Sequence, residues 1–487
     1  MNMHRVPTHS AEAAVRPRSS LLAALIPVLL LAIPSSAQYG PFQVGTLIEA
    51  TMDGPDLPNA PTPNAFSGAL AVLPLKADVY YPIAPQGPNS LFVAPPGGGP
   101  HFPIVVFLHG YGGHPQDYGN FLSAIASWGF IVLAPRYVRP PGFEAPVEQA
   151  YEAWLMLQKM REEAIFSTGV FPGVTNIDPA PDAHISLVGH SMGTVSGFYL
   201  SGAEEDVRTM VQLNPYQGNM LAGLFPLCGT VPWGVILGWQ GAIPAAQNFS
   251  GHLYQLAGTD DAITPAAAAA YWSDQGELGD HHPARNILAT VVGLGHFGSL
   301  DITAANQPIP FPGCANPLPL GAMHGADQHL VTSLFVTKAL RADFGVGIQE
   351  NIFDEILGSG FMDLPVSLNG GAPQPIQVDV LSRCRDTAVW VKPSSQGGLE
   401  IGIAGHPQDL GMIYAFVEEP YAFGILPGWS LLGAVDPAVF GNISAYPGTG
   451  VLIGQIPGQP TGLEIGIMAY MIGTDRTDLS RLATVHY

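Results

Sequence analysis

Ser191 lies in a sequence pattern that is typical of a serine nucleophile. The pattern is Gly189-His-Ser-Met-Gly193, a G-x-S-x-G motif in which the serine occupies a strained turn between a strand and a helix. The chain contains 58 glycines, so the motif alone is weak. Its context is stronger, because the apolar segment 184–188 precedes it and small residues follow it from Thr194. We therefore predict a strand, a sharp turn and a helix whose N-terminus lies beside the Ser191 hydroxyl.

A serine hydroxyl is a poor nucleophile until a base accepts its proton, and the base needs a carboxylate to fix its tautomer. Asp260 and Asp261 both follow a predicted strand, and the spacing to Pro265 favours Asp261 as the acid. The alternative for Asp260 is a turn or helix-capping residue. His296 lies between glycines after the last predicted strand, which favours it as the base. The sequence thus predicts a triad of Ser191, Asp261 and His296.

The tetrahedral intermediate of such a reaction also needs two hydrogen-bond donors for its negatively charged oxygen. The backbone N–H of Met192, directly after the nucleophile, is one predicted donor. The other is predicted at Tyr111, in the loop that follows the apolar strand 104–108. Two further histidines, His109 and His190, are predicted to have structural roles, with His109 bracing its loop through hydrogen bonds.

Segments that alternate between strand and helix surround these residues. Unbroken apolar runs are typical of strands that are covered by helices on both faces. The alternation predicts an α/β domain with a mostly parallel sheet, helices on both faces and functional loops at the carboxyl ends of the strands. A bounding proline places the first strand at a sheet edge. The predicted strands are 75–81, 104–108, 130–134, 184–188, 209–213, 252–256 and 286–292, and the predicted helices include 117–128, 147–164 and 325–344.

The segment 215–250 interrupts this alternation and contains several aromatic residues and prolines. Two interpretations remain open: a cap or wall over the site, or a surface excursion that packs on itself.

Cys228 and Cys314 both lie in the first predicted domain, and we predict a disulfide between them. No spacing typical of a metal site is present, so neither a metal ion nor another cofactor is expected.

The N-terminus predicts export. Arginines precede an apolar run at 21–33, and small residues then fit a cleavage site, so residues 1–37 are predicted to be a signal peptide and the mature chain to be secreted or periplasmic. No later segment is predicted to span a membrane. A net charge of −21 argues against nucleic acid or an anionic membrane as a partner.

The composition changes near Gly345, where helical signals give way to short segments separated by glycine and proline. The hexapeptide Gly-Leu-Glu-Ile-Gly-Ile occurs at 398–403 and again at 462–467. We predict a catalytic domain at 38–363 and a small all-β, sandwich-like domain at 364–487. The second domain is either a packing or secretion appendage or a module that contacts a surface, polymer or glycan. A chain ending near Asp363 is predicted to keep activity on small soluble esters.

Four blocks of the first domain resemble one branch of the α/β-hydrolase superfamily, which contains chlorophyllases, platelet-activating-factor acetylhydrolases and cutinase-like polyester hydrolases. They are 104–112, 121–135, 261–265 and 295–296. The resemblance implies Ser191, Asp261 and His296 as triad and Tyr111 and Met192 as oxyanion donors, with Tyr111 also contacting a substrate ring. The chain departs from the branch at Thr194, where a glycine is common, and the C-terminal domain lies outside the resemblance.

The sequence therefore predicts an exported serine hydrolase that cleaves carboxylic esters, of a small molecule, a lipid or a polymer, through an acyl-enzyme intermediate. One alternative is a serine peptidase or amidase with the same triad. A second alternative is a binding protein on this fold without catalytic activity.

Overall fold

A nine-stranded sheet forms the centre of the computed structural model. Its strands are β1 (Gln43–Met52), β2 (Leu75–Ile83), β3 (Ile104–Leu108), β4 (Ile131–Pro135), β5 (Ile185–His190), β6 (Val207–Leu213), β7 (His252–Gly258), β8 (Arg285–Val291) and β11 (Val378–Cys384). The structure describes residues 40–54, 57–58, 61–83, 101–137, 139, 145–166, 169–174, 177, 184–217, 238–278, 285–309, 317–343 and 364–384, and the strand segments 388–393, 399–404, 410–418, 429–435, 449–452, 464–472, 477–479 and 483–486.

The strand order is β1-β2-β4-β3-β5-β6-β7-β8-β11. The six strands from β4 to β8 in this order run parallel to one another, and the pairs β1–β2, β2–β4 and β8–β11 are antiparallel. All residues of β3, β4 and β5 are buried, as expected for strands with helices on both faces. The predicted mixed α/β architecture with a mostly parallel sheet is confirmed, and it fits an α/β-hydrolase fold.

Helices connect the strands. The long helices at 146–166 and 325–343 begin and end within two residues of their predicted bounds. The helices are α1 (Gly119–Ser127), α2 (Pro146–Phe166), α3 (Met192–Ala203), α4 (Ile243–Asn248), α5 (Ala266–Leu278), α6 (Asp301–Ala304) and α7 (Gly325–Asp343).

The prediction that the strand beginning at Leu75 lies at a sheet edge is wrong. β1 lies outside β2 and forms that edge, with Val44 opposite Pro82. β2 pairs with β4 only from Ala77 to Tyr80. Pro82 lies beyond this segment, so its missing N–H removes no bond to β4, and the proline does not prevent β2 from lying inside the sheet.

The chain that follows residue 363 returns to the main sheet. β11 pairs antiparallel with β8 from Val378 opposite Val291 to Cys384 opposite Arg285. Before it, the short strands β9 (Pro365–Val366) and β10 (Gln374–Pro375) pair with each other. The N–H of His324 donates to Ser367 O at 2.9 Å, which ties this segment to the start of α7. The predicted division at 363–364 stays a prediction, but residues 364–384 are joined to the sheet of the first domain.

The described elements beyond β11 are also strands. β12 (Ala388–Pro393), β13 (Leu399–Ala404) and β16 (Thr449–Leu452) form one sheet; β14 (Leu410–Glu418), β15 (Trp429–Val435), β17 (Glu464–Ile472), β18 (Thr477–Leu479) and β19 (Ala483–His486) form another. The two copies of the repeated hexapeptide contribute to β13 and β17. That these strands form a sandwich-like domain stays a prediction.

The pairing of β11 leads to a revised prediction for truncation. A chain ended after Asp363 loses β11 and the buried side chains of Val366 and Ile376. It also leaves the edge of β8 unpaired. We expect its melting temperature to be lower, by about 5 °C or more, than that of a chain ended after Cys384. Differential scanning calorimetry of the two chains measures this difference. Equal melting temperatures would show that β11 adds nothing to the stability of the sheet.

Three sequence predictions fall outside the described residues: the signal peptide at 1–37, the Cys228–Cys314 disulfide and the central part of the interrupting segment, 218–237. The described end of that segment packs on α3 and α5, where Tyr199 donates to Gly238 O at 2.6 Å and the Trp239 and Trp272 rings are 6.2 Å apart.

Within the described residues, no helix combines the length and the apolar character that a membrane crossing requires.

Candidate active site

Ser191 occupies a strained turn between β5 and α3. Its φ of +52° and ψ of −118° lie in a region that residues with a side chain rarely adopt. The two motif glycines make this turn possible. A Cβ atom at Gly193 would lie 2.0 Å from Leu108 O, and one at Gly189 would lie 2.7 Å from Gly193 O. The predicted strand, turn and helix are therefore present, and the glycines are explained by close backbone approach.

Asp261 and His296 meet at the same edge of the sheet. Asp261 follows β7 and His296 follows β8, and His296 Nδ1 lies 2.8 Å from Asp261 Oδ2. The other carboxylate oxygen, Oδ1, accepts the N–H groups of Ile263 at 2.8 Å and Thr264 at 2.7 Å. Both side chains are buried. These bonds hold the carboxylate in one orientation toward the ring, so Nδ1 is the protonated nitrogen and Nε2 is free to accept a proton.

Thr264 completes the surroundings of this pair. Its hydroxyl lies 2.8 Å from Asp261 Oδ2, 3.1 Å from His296 Nδ1 and 3.0 Å from the backbone oxygen of Asn214. The hydroxyl can donate only one hydrogen, so it donates to either Asp261 or Asn214. In the sequence, Thr264 is one residue of the block 261–265, and no role is predicted for it.

Asp260 points to a different partner. Its Oδ2 accepts the N–H of Ala322 at 2.8 Å, and its Oδ1 accepts the Thr259 hydroxyl at 3.0 Å. The structure therefore places only Asp261 against the His296 ring, while Asp260 fixes the loop before α7. The spacing to Pro265 also favoured Asp261, and its role as the acid stays a prediction.

The loop that carries Tyr111 is held by side-chain hydrogen bonds. The carbonyl of Gly110 lies 2.9 Å from His109 Nδ1 and accepts the N–H of Gly113 at 3.0 Å. In a planar trans peptide the N–H points away from the carbonyl, so the Tyr111 N–H is directed away from these two donors. The His109 carbonyl in turn accepts Gln149 Nε2 at 3.1 Å. His109 thus braces the loop, as predicted.

His190 is the residue between the motif glycine and Ser191, and it is buried. Its Nε2 lies 2.8 Å from the backbone oxygen of His296, and its Nδ1 lies 2.8 Å from the Tyr118 hydroxyl. Burial, together with the nearby His296 ring, lowers the pKa of His190 to about 3. His190 is therefore neutral at physiological pH and adds no positive charge beside His296.

The site predicted from the sequence is thus brought to one edge of the sheet. Ser191, Asp261 and His296 follow β5, β7 and β8, and Tyr111 follows β3, with Met192 at the start of α3. Among the residues that the structure describes, no group of three or more His, Cys, Asp or Glu side chains is placed to hold a metal ion. The assignment of roles to these residues remains a prediction.

Burial of neutral histidines makes stability depend on pH. The pKa is lowered by burial to about 4 in His109 and His184 and to about 3 in His190. In the unfolded chain these groups bind protons below about pH 6.5, whereas in the native state they do not until far lower pH. The unfolded state therefore takes up more protons, and the free energy of unfolding falls as the pH falls from about 6.5 to about 4.

We expect the melting temperature to fall as the pH is lowered from about 6.5 to about 4. The range between about pH 6.5 and 5 is the most informative, because few carboxylates titrate there. His184 lies before β5, away from the candidate site, so His184→Gln is a suitable matched variant. It should flatten the pH dependence of the melting temperature without altering the site. A melting temperature that stays constant or rises on acidification would contradict the neutral state of these histidines.

Comparisons with known proteins point to one family. Residues 64–226 match the family model for chlorophyllase. The chain is 28% identical over 179 residues to chlorophyllase-1, chloroplastic, of Citrus sinensis, which is 35% of this chain and 50% of the relative. It is 27% identical over 185 residues to chlorophyllase-1 of Arabidopsis thaliana (37% and 53%), and 27% identical over 151 residues to chlorophyllase type 0 of Chenopodium album (30% and 40%).

The predicted resemblance to the chlorophyllase branch of the α/β-hydrolases is confirmed by these matches. The family match includes Tyr111, Ser191 and Met192 but ends before Asp261 and His296. The chain spans about half the length of the curated relatives it matches.

Proposed function

We propose that this protein is a serine hydrolase that cleaves carboxylic esters. The observation that carries the proposal is that a strained Ser191 and a buried Asp261–His296 hydrogen bond lie at the same edge of the sheet, after β5, β7 and β8. The resemblance to chlorophyllases, which are carboxylic-ester hydrolases, supports the same reaction class.

In this mechanism His296 Nε2 accepts the Ser191 proton as the hydroxyl oxygen attacks the ester carbonyl. The negatively charged oxygen of the tetrahedral intermediate accepts the backbone N–H groups of Tyr111 and Met192. His296 then gives the proton to the leaving alcohol, and an acyl-Ser191 intermediate forms. A water molecule activated by His296 hydrolyses the acyl-enzyme and restores Ser191. Asp261 holds His296 in the required tautomer and stabilises the imidazolium.

The substrate is an ester of a small molecule, a lipid or a polymer. Tyr111 is half-buried and follows Gly110, where an added Cβ atom would lie 3.1 Å from Ser191 Cβ. An aromatic side chain at this position can pack against an apolar acyl or ring group of the substrate. The predicted export belongs to this proposal as well, as does the alternative in which the C-terminal strands contact a surface, polymer or glycan. They are consistent with a substrate met outside the cell.

Hydrolysis of p-nitrophenyl esters of increasing acyl length, compared with p-nitroanilides of the same acyl groups, tests the reaction class. We expect ester turnover with anilide turnover lower by about 10³-fold or more. Comparable turnover of the anilides would favour the peptidase or amidase alternative. Turnover of neither, by a protein with a cooperative melting transition, would favour the binding protein without activity.

A further inference from the structure

The backbone carbonyl of His296 accepts hydrogen bonds from two buried side chains. Asn214 Nδ2 lies 2.8 Å from this oxygen and 3.1 Å from the oxygen of Gly295. His190 Nε2 lies 2.8 Å from the same His296 oxygen. Asn214 follows β6 and His190 ends β5, so the loop after β8 is held from two neighbouring strands.

Asn214 joins more than one part of the site. Its Oδ1 accepts the N–H of Gly258, at the end of β7, at 3.1 Å, and its own backbone oxygen faces the Thr264 hydroxyl at 3.0 Å. Its φ of +46° is left-handed, a conformation that asparagine adopts more readily than most residues. One buried side chain thus fixes the distance between the acid loop and the base loop.

The hydrogen bonds of His190 determine its tautomer. A carbonyl oxygen can only accept, so Nε2 carries the hydrogen and Nδ1 accepts from the Tyr118 hydroxyl. The Tyr118 oxygen lies 3.4 Å from the N–H of Gly110, which precedes Tyr111. A chain of hydrogen bonds therefore runs from the Tyr111 loop through Tyr118 and His190 to the main chain of His296.

We propose that His190 and Asn214 are positioning residues of the reaction, which hold the base His296 by its main-chain carbonyl. Asp261 orients the His296 ring by a hydrogen bond to its side chain. His190 and Asn214 instead fix the position of the His296 main chain, from which the ring extends. The inference rests on the proposed function, because it assigns a role in a reaction that uses His296 as base. The position of the base matters because a displacement of about 1 Å in a catalytic group costs about 10²-fold in rate.

The test uses the full chain and p-nitrophenyl butyrate. Asn214→Ala should lower kcat by about 10-fold to 10²-fold while KM changes by less than about threefold, because the base is displaced and substrate contacts remain. The matched control is Asn286→Ala. Asn286 is also buried and donates to a carbonyl, that of Ser273 at 2.9 Å, but it faces α5. We expect this control to lower the melting temperature and leave kcat unchanged.

A double-mutant cycle with His296→Ala separates positioning from general destabilisation. If Asn214 acts through His296, adding Asn214→Ala to His296→Ala changes kcat by less than about twofold. Independent, multiplicative losses would overturn the inference, and so would equal effects of Asn214→Ala and Asn286→Ala on kcat. Retention of activity by His296→Ala itself would instead overturn the proposed function.

His190 provides an independent test if Asn214→Ala fails to fold. His190→Gln keeps an N–H near the position of Nε2, whereas His190→Leu removes it. We expect kcat to fall by about 10-fold or more in the leucine variant and to be largely retained by glutamine. Equal kcat values in both variants would contradict a positioning role for this hydrogen bond.

Discussion

Ser191→Ala should lower kcat for p-nitrophenyl esters by about 10³-fold or more while the melting temperature stays within about 2 °C. The hydroxyl is the proposed attacking group, and no other described side chain at this turn can form the acyl-enzyme. Its removal leaves only the oxyanion donors and substrate binding to accelerate hydrolysis. Alanine keeps the Cβ atom that the positive φ of this turn disfavours, so the substitution leaves the backbone strain unchanged.

Ser186→Ala is the matched control for this variant. Ser186 is a buried serine of β5, the strand that precedes the turn. It lies within the strand, whereas Ser191 lies at the turn. We expect its kcat to equal that of the unmodified protein. A Ser191→Ala variant that retained more than a tenth of the original kcat would remove Ser191 from the mechanism.

Asp261→Asn should lower kcat by about 10³-fold to 10⁴-fold, the effect expected when a base loses its orienting carboxylate. An amide in place of the carboxylate can present N–H to His296 Nδ1. The ring would then carry its hydrogen on Nε2, the nitrogen that must accept the Ser191 proton. The fold should persist, because the side-chain oxygen that accepts the N–H groups of Ile263 and Thr264 is kept.

Asp260→Asn is the matched comparison, since it changes the adjacent aspartate in the same way. Asp260 accepts the N–H of Ala322 and the Thr259 hydroxyl, whereas Asp261 accepts the hydrogen of His296 Nδ1. We expect kcat within about threefold of the original and a small decrease in melting temperature. If Asp260→Asn proved the more damaging of the two, the assignment of the acid would be wrong by one residue.

The sheet was predictable where its strands are covered on both faces. A strand such as β3 is a continuous apolar run, Ile-Val-Val-Phe-Leu, and all of its residues are buried. β1 was missed because it is an edge strand in which only a minority of residues is buried, with a bulge at Glu49, where φ is +57°. Such a strand is stabilised by its pairing with β2, which local sequence does not reveal.

The return of the chain to the sheet at β11 was also not predictable. The composition changes near Gly345, but the chain leaves the main sheet only after Cys384. A change in composition marks where helices stop, whereas the pairing of β11 with β8 depends on contacts between residues far apart in sequence. This is why the truncation after Asp363 is expected to cost stability.

The candidate site was predictable to the extent that chemistry restricts residue type. A nucleophile, an acid and a base at three strand ends follow from the G-x-S-x-G motif and the order of the loops. Asn214 and Thr264 carry no such signal, since amides and hydroxyls have many structural uses. Asn214 does follow directly on a strand, β6, and that position at the functional edge of a parallel sheet is the signal that could have indicated it.

Covalent labelling tests the central claim most directly. The full protein is incubated with a fluorophosphonate, which reacts with an activated serine, and the labelled peptide is identified by mass spectrometry. We expect one phosphonyl group per chain on Ser191, no label in Ser191→Ala, and labelling slowed by about 10²-fold or more in His296→Ala. A folded protein that takes up no label, or takes it up on another serine, would contradict the assignment of Ser191 as the nucleophile.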